Sequence, residues 1–229
     1  MHPLLAALEG QLIVSVQAQP SEPLHGAQHM AVMARAVAEG GAAAIRCESP
    51  DDIRAIKAAV DLPLIGLWKQ GETGVYITPT TEAARAVAEA GADMIAIDAT
   101  ERPRPVPVAE LVRYIHEELR LPVLADVATL EEGLAAGVAG ADAIAPTLSG
   151  YTGDGPAPKE PDWLLLYALL RRSTVPVIME GRIWTPDEAG RALRYGAWAV
   201  VVGSAITRPQ LIARRFADAV ADERDRAVK

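Results

Sequence analysis

The chain has 229 residues (24.2 kDa), of which 50% are hydrophobic and 23% charged, with a formal net charge of −8. This balance is typical of a globular protein, whereas the acidic charge and a single Phe argue against a nucleic-acid-binding surface. No apolar run is long enough to span a membrane, a lone cysteine excludes an intrachain disulfide, and residues 1–5 lack the pattern of a signal peptide, so we expect a cytoplasmic protein.

The predicted strands follow one another in two interleaved patterns, after a first strand at Leu12–Val16. Gly-Ala-x-x-(Ile/Val) occurs four times, beginning at Gly41, Gly91, Gly140 and Gly196. Each of these glycines follows a helix-like run and is predicted to end a helix and lead into a buried strand. A proline followed by two aliphatic residues falls between them, at Pro63, Pro122 and Pro176, and is typical of the first position of a buried strand.

Amphipathic segments separate these eight strands. They are predicted as helices at 27–39, 51–60, 81–90, 108–119, 130–136, 162–171, 186–194 and 210–221. Eight evenly spaced β and α units predict an α/β fold, a (β/α)8 TIM barrel of the phosphate-binding type that forms a single domain over 1–229. An open, doubly wound sheet is the structural alternative. The long irregular stretches all follow strands, which suits a ligand-covering face, and they span 70–79, 101–107 and 148–161.

Polar residues stand at the predicted carboxyl end of every strand. They are Gln17, Arg46, Lys69, Asp98, Asp126, Thr147, Glu180 and the pair Gly203-Ser204. In a (β/α)8 barrel these ends surround the active site, and a charge that is buried without a partner is costly. We therefore expect these side chains to converge on a ligand.

Lys69 and Glu180 carry the catalytic interpretation. As residues of the third and seventh strands they would face each other across the barrel, an arrangement suited to removing a proton from one face of a carbon and returning one to the other. The alternatives are a lysine that begins a solvated loop and a carboxylate paired with Arg182. A lysine with a lowered pKa could also form a Schiff base.

The glycine-containing ends of the last two strands predict a phosphate site. Gly203-Ser204 would free backbone N–H groups at the start of a short helix, with Gly181-Arg182 beside it, although an ordinary tight turn explains either one alone. We expect no metal, because no histidine ends a strand, and the i, i+4 pair of His25 and His29 has no third ligand in view.

Several of these motifs resemble the N-acetylmannosamine-6-phosphate 2-epimerase family. The resemblance extends from about residue 10 to residue 221, and its most distinctive segments contain Lys69, Tyr76 and Glu180. These segments read Ile65-Gly66-Leu67-Trp68-Lys69, Val75-Tyr76-Ile77-Thr78-Pro79-Thr80, Thr147-Leu148-Ser149-Gly150-Tyr151-Thr152 and Met179-Glu180-Gly181-Arg182. The chain differs from the family pattern in the loop 70–74, where two glycines suggest a mobile flap.

This resemblance implies a cofactor-free enzyme that interconverts N-acetylmannosamine 6-phosphate and N-acetylglucosamine 6-phosphate in sialic acid catabolism. It implies that Lys69 and Glu180 are catalytic and that the protein is a homodimer. The substrate-binding residues are then Gln17, Arg46 and Asp126, to which their positions at strand ends add Asp98 and Thr147. The phosphate-binding residues are Gly181, Arg182, Gly203, Ser204 and Arg208.

Two other functions remain open at this point. Lys69 could form a Schiff base in an aldolase or lyase that acts on a phosphorylated sugar. The barrel could also bind a phosphosugar without turnover, although such a protein has no need of an acid and a base that face each other.

Overall fold

The computed structural model describes residues 1–71, 73–153 and 158–227. Eight parallel strands follow chain order around a ring: β1 Leu12–Val16, β2 Ala44–Glu48, β3 Leu64–Leu67, β4 Met94–Asp98, β5 Val123–Asp126, β6 Ala143–Ala145, β7 Ile178–Glu180 and β8 Ala199–Val202. β8 pairs with β1, and a parallel bridge between Ile144 and Val177 joins β6 to β7. The predicted (β/α)8 barrel is confirmed.

Helices alternate with the strands. They are α1 Pro3–Ala7, α2 Ala27–Glu39, α3 Pro50–Lys57, α4 Thr81–Glu89, α5 Val108–Tyr114 with a π-helical turn at Ile115–Leu119, α6 Leu130–Val138, α7 Trp163–Arg172, α8 Pro186–Arg194, α9 Ser204–Thr207 and α10 Pro209–Ala227. The sequence did not predict α1, and α10 extends six residues beyond its predicted end. Within the described residues, none of the helices is both long enough and apolar enough to cross a membrane.

The glycines of the first pattern have their predicted role, whereas Pro63 and Pro122 stand one residue, and Pro176 two residues, before the strands that they were predicted to begin. All four glycines of the first pattern have φ between +96° and +107°, the left-handed conformation that ends a helix and that glycine adopts without strain. The carbonyl groups of Pro63, Pro122 and Pro176 accept hydrogen bonds from the preceding strands in the ring. Proline can stand at these positions because it lacks only the donor.

Helix α1 closes the amino-terminal end of the barrel. Leu5 and Leu8 are 1% exposed and belong to the hydrophobic cluster inside the ring, while the indole Nε1 of Trp198 donates to the Leu5 carbonyl (2.7 Å). A second, larger cluster fills the space between the strands and the outer helices. Because side chains fill the amino-terminal end of the barrel, the end that is open to a ligand is the opposite one, at the carboxyl ends of the strands.

The packing around β3 leaves no space for a side chain at Gly66. A Cβ there would lie 2.6 Å from the Cβ of Ala92 and 2.7 Å from Cγ1 of Val87. We expect Gly66→Ala to lower the free energy of unfolding by about 1–3 kcal/mol, measured by urea denaturation, because it overpacks the core. The control Gly137→Ala places a methyl group at ordinary contact distance in α6 and should raise stability by about 0.5–1 kcal/mol. Equal effects of the two substitutions would contradict this explanation.

Candidate active site

A polar cavity of about 310 Å³ opens at the carboxyl end of the strands. Ten of the twelve predicted site residues line it: Gln17, Arg46, Lys69, Thr147, Glu180, Gly181, Arg182, Gly203, Ser204 and Arg208. Most of the predicted site residues therefore lie around one cavity, as their positions at strand ends led us to expect.

Lys69 lies two residues beyond β3, on one side of this cavity. Its Nζ donates to Oε1 of Gln17 (2.7 Å), and Nε2 of the same glutamine donates to Oγ of Ser15 (2.9 Å). Because an ammonium group only donates, Lys69 fixes the carbonyl end of the Gln17 amide toward itself, and the Ser15 hydroxyl accepts from the other end. Since β3 and β7 are four positions apart in a ring of eight, Lys69 and Glu180 stand on opposite sides of the barrel mouth.

Arg46 links the carboxylates of the site. Its guanidinium, 1% exposed, donates from Nη1 and Nη2 to both carboxylate oxygens of Asp126 (2.9 and 2.5 Å) and from Nη1 to Oε2 of Glu180 (2.5 Å). Thr147 donates its hydroxyl to Oδ1 of Asp126 (2.5 Å). Nε of Arg46 is buried and has no acceptor among the described residues, so this arginine keeps one donor.

The environment brings the pKa values of Glu180 and Lys69 closer together. Burial raises the pKa of Glu180 to about 7, although the Arg46 charge acts in the opposite direction. Lys69 reaches the open mouth of the cavity, yet the surrounding protein lowers the pKa of its ammonium group, mainly by desolvation. Glu48 opposes that shift, and Arg46 and Arg208 add to it. Burial thus favours the protonated carboxyl group of Glu180 and the neutral amine of Lys69, compared with the same groups in water.

The loops after β7 and β8 form the end of the cavity that the sequence assigned to phosphate. Gly181 has φ +117°, and a Cβ at Gly203 would lie 3.3 Å from the Cβ of Ser15, so a side chain there would crowd β1. Arg182 donates to the carbonyl groups of Ser149 and Glu160, while Arg208 pairs with Glu22 (3.1 Å).

Asp126 and Asp98 do not line the cavity, and both are fully buried. Asp126 lies behind Arg46 and Thr147. Oδ2 of Asp98 accepts hydrogen bonds from the Tyr76 N–H (3.2 Å) and from Nη2 of Arg102 (2.6 Å). Their roles as direct substrate contacts remain predictions, and the structure gives each carboxylate protein partners instead.

The cavity also includes residues to which the sequence assigned no role. These are chiefly Ser15, Tyr76, Tyr151 and Trp184. Ser15 was accessible to sequence reasoning, because it precedes Gln17 by two positions and must share its face of β1. The other three lie in loops, where periodicity gives no signal. Glu72, in the predicted flap 70–74, lies outside the described residues, as do 154–157 of the predicted loop 148–161.

Among the described residues, no group of three or more His, Cys, Asp or Glu side chains is arranged to hold a metal ion. His25 and His29 place their Nδ1 atoms near backbone carbonyl oxygens, of Ala18 and His25 respectively.

The fold and the site together define a TIM-barrel enzyme equipped for proton transfer. Residues 30–222 match the NanE family model, described as "Putative N-acetylmannosamine-6-phosphate epimerase". The chain belongs to the N-acetylmannosamine-6-phosphate 2-epimerase family, which confirms the resemblance found in the sequence.

Individual relatives match over nearly their whole length. The chain is 49% identical to a protein of Caldanaerobacter subterraneus subsp. tengcongensis (96% of this chain, 95% of the relative) and 46% identical to one of Cutibacterium acnes (95% and 96%), each named "Putative N-acetylmannosamine-6-phosphate 2-epimerase". The solved structure of the N-acetylmannosamine-6-phosphate 2-epimerase from Clostridium perfringens superposes with a TM-score of 0.91 at 44% identity, covering 95% of this chain and 96% of that one.

Proposed function

We propose that this protein interconverts N-acetylmannosamine 6-phosphate and N-acetylglucosamine 6-phosphate by removing and returning the proton at C2. The observation that carries the proposal is the pair Lys69 and Glu180, which stand on opposite sides of one cavity with their pKa values shifted toward each other. The names of the relatives supply the substrate.

The chemistry follows from the position of C2. In the open-chain sugar this carbon is α to the C1 aldehyde, so its proton can leave as an enolate forms. One residue of the pair takes the proton from one face, and the other returns a proton to the opposite face, which inverts C2 without redox chemistry. The Lys69 amine and the Glu180 carboxyl group suit these roles, because burial raises the pKa of Glu180 to about 7 and lowers the pKa of Lys69.

Arg46 and Gln17 support this reaction electrostatically. We assign to them the binding of the developing enolate oxygen and of the N-acetyl group. Both residues line the cavity, the Arg46 guanidinium is held by Asp126, and the Gln17 amide is held between Ser15 and Lys69, which favours the assignment. Fixed donors of this kind stabilise charge as it develops, because they need no reorganisation during the reaction.

The 6-phosphate is assigned to the glycine loops after β7 and β8. Gly181, Gly203 and Ser204 line that end of the cavity, together with the cations Arg182 and Arg208. Loops at these two strand ends commonly form phosphate sites in (β/α)8 barrels. Sugar phosphates are charged and therefore stay inside cells. We also propose that this protein is located in the cytoplasm.

The proposal is tested by incubating the protein with either epimer and following both by proton NMR. We expect the same equilibrium mixture from both starting sugars, unchanged by EDTA. A parallel sample with borohydride distinguishes the Schiff-base alternative, which the lowered pKa of Lys69 would also suit, since only that reaction leaves a reduced adduct on Lys69. A trapped adduct, or binding without conversion, would contradict the proposal.

The activity should depend on pH through the shared proton of this pair. The reactive enzyme carries one proton on the two groups. As the pH drops below about 7, both Glu180 and Lys69 become protonated and kcat/KM should fall. As the pH rises, kcat/KM should fall again when Lys69 loses its proton, at a pH lower than the ordinary lysine pKa. The sugar phosphate itself titrates near pH 6, so the pKa of Glu180 should also be measured directly, by carbon NMR of the free protein. A Glu180 carboxyl group that titrates at its ordinary value would contradict this prediction.

We further propose a homodimer formed through α10. Phe216 and Val220, one helical turn apart on this helix, are each 71% exposed. An apolar groove of about 370 Å³ lies uncovered along β1, β8 and α8, lined by residues such as Leu12, Val202 and Leu193. In the proposed dimer, α10 of each copy lies in the groove of the other, so that both apolar surfaces are buried.

This assembly predicts a specific effect of charge on α10. Phe216→Glu should convert the dimer to monomer in sedimentation velocity, because a carboxylate would enter an apolar interface. Arg214→Glu places the same carboxylate at an exposed position about 200° around the helix from Phe216 and should leave the dimer intact. A wild-type monomer, or a Phe216→Glu dimer, would contradict the proposed interface.

A further inference from the structure

The backbone that carries Lys69 forms a small hairpin whose return arm lies between β3 and β4. Lys69 forms an antiparallel bridge with Ile77, and the Thr78 N–H donates to the Trp68 carbonyl (2.8 Å). β3 pairs directly with β4 only at Ile65 and Gly66, which lie opposite Met94 and Ile95 at the start of β4. Beyond that point the return arm 75–78 takes the place of β4 beside the segment that carries the lysine.

Asp98, the last residue of β4, holds this return arm from the other side. Its N–H donates to the Ile77 carbonyl (2.8 Å), and its Oδ2 accepts the Tyr76 N–H (3.2 Å). Consecutive residues of the arm are therefore fixed through both the main chain and the side chain of Asp98. Both contacts are made to the backbone of residues that line the cavity, Tyr76 and Ile77, while Asp98 itself does not reach it.

The Asp98 carboxylate is fully saturated by protein donors. Oδ1 accepts the N–H and the hydroxyl of Thr100 (3.1 and 2.7 Å), and Oδ2 also accepts Nη2 of Arg102 (2.6 Å). The Arg102 guanidinium lies 5.2 Å from the centre of the Tyr76 ring, so the same cation contacts the carboxylate and the arm. A side chain with this many partners is not available to bind a sugar hydroxyl.

We infer that Asp98 is a positioning residue, which together with Arg102 fixes the return arm and thereby the placement of Lys69. The expected effect on turnover rests on the proposed function, whereas the expected effect on the placement of Lys69 does not. A displacement of about 1 Å in a reacting group can cost on the order of 100-fold in rate. Asp98 does not reach the cavity, although Tyr76 and Ile77 of the arm line it, so we expect the effect on kcat to exceed the effect on KM.

The experiment compares Asp98→Asn with Asp93→Asn. Asp93 precedes β4 and accepts the Leu64 N–H (2.9 Å) while pairing with Lys57 (2.7 Å), so it ties β3 to β4 at the opposite end of the barrel. We expect Asp98→Asn to lower kcat by about 10- to 100-fold with KM changed less than about threefold. Asp93→Asn should alter stability alone.

A second readout does not depend on turnover. The pKa of Lys69 is measured by competitive acetylation of the free protein with acetic anhydride, followed by mass spectrometry. Burial lowers the pKa of Lys69, and the charges of Arg46 of β2 and Arg208 after β8 lower it further, whereas Glu48 of β2 and Glu180 of β7 raise it. A loosened hairpin exposes the amine to water, so its pKa should rise toward the ordinary lysine value in Asp98→Asn and stay unchanged in Asp93→Asn.

The outcomes separate the two proposals. A wild-type protein without epimerase activity would contradict the proposed function, while a shifted Lys69 pKa in Asp98→Asn would still support positioning. An unchanged Lys69 pKa with a raised KM would make Asp98 a substrate contact and overturn the inference. If Asp98→Asn fails to fold, Arg102→Gln replaces it, since Arg102 is 22% exposed, and must shift the Lys69 pKa in the same direction.

Discussion

Replacing Lys69 with Met or Glu180 with Gln is expected to slow epimerisation by about 10²–10⁴-fold. Each substitution removes one of the two groups that exchange a proton with C2, while methionine and glutamine keep much of the original shape. Lys57→Met, which removes a lysine paired with Asp93 at the opposite end of the barrel, serves as the control and should retain full activity.

The two variants should also differ from each other in a way that general damage to the site cannot reproduce. A group on one face of C2 reaches the hydrogen of one epimer only. Lys69→Met should therefore retain slow hydrogen exchange in one epimer, and Glu180→Gln in the other, both measured by proton NMR in D₂O. Wild-type rates of epimerisation in either variant would refute the two-residue mechanism.

Arg46→Met is expected to destabilise the protein by about 3–5 kcal/mol at neutral pH and to abolish activity. Arg46 forms ion pairs with Asp126 and Glu180, and methionine leaves these two carboxylates without the cation that contacts them. Burying an unpaired charge costs far more than an exposed ion pair contributes.

The pH dependence of this loss has a definite sign. Burial raises the pKa of Glu180 and the Arg46 charge opposes that rise, so in the variant the pKa rises further and the folded state binds this proton more tightly than the unfolded state does. Its stability is then greatest at low pH and falls as the pH rises, so the difference from wild type should shrink between pH 7 and pH 5. Urea denaturation at both values measures it. A loss below 1 kcal/mol, or one that is independent of pH, would contradict the role given to Arg46.

The barrel could be predicted because its strands and helices repeat with distinct signals. A glycine that ends a helix and a proline that begins a strand reflect local backbone requirements, which the chain itself encodes. Helix α1 carries no such signal, since five residues are too short to show a helical period. Its position depends on Leu5 and Leu8 packing inside a barrel that residues far along the chain complete.

The site was predictable to the extent that it follows the alternation of side chains along strands. Ile13, Ala44 and Ile178 point into the barrel, and the residues two positions later, Ser15, Arg46 and Glu180, reach the cavity. Asp98 follows the same rule after Ala96, yet the hairpin arm that returns from Lys69 covers it. That arm pairs through tertiary contacts, which strand periodicity does not encode.

The most direct test of the proposed mechanism is the isotope at C2. Purified protein is mixed with N-acetylmannosamine 6-phosphate in D₂O, and the product is examined by proton NMR. Transfer of a proton to and from the protein predicts N-acetylglucosamine 6-phosphate that carries deuterium at C2. A gluco product that retains its original hydrogen would contradict deprotonation and reprotonation by Lys69 and Glu180.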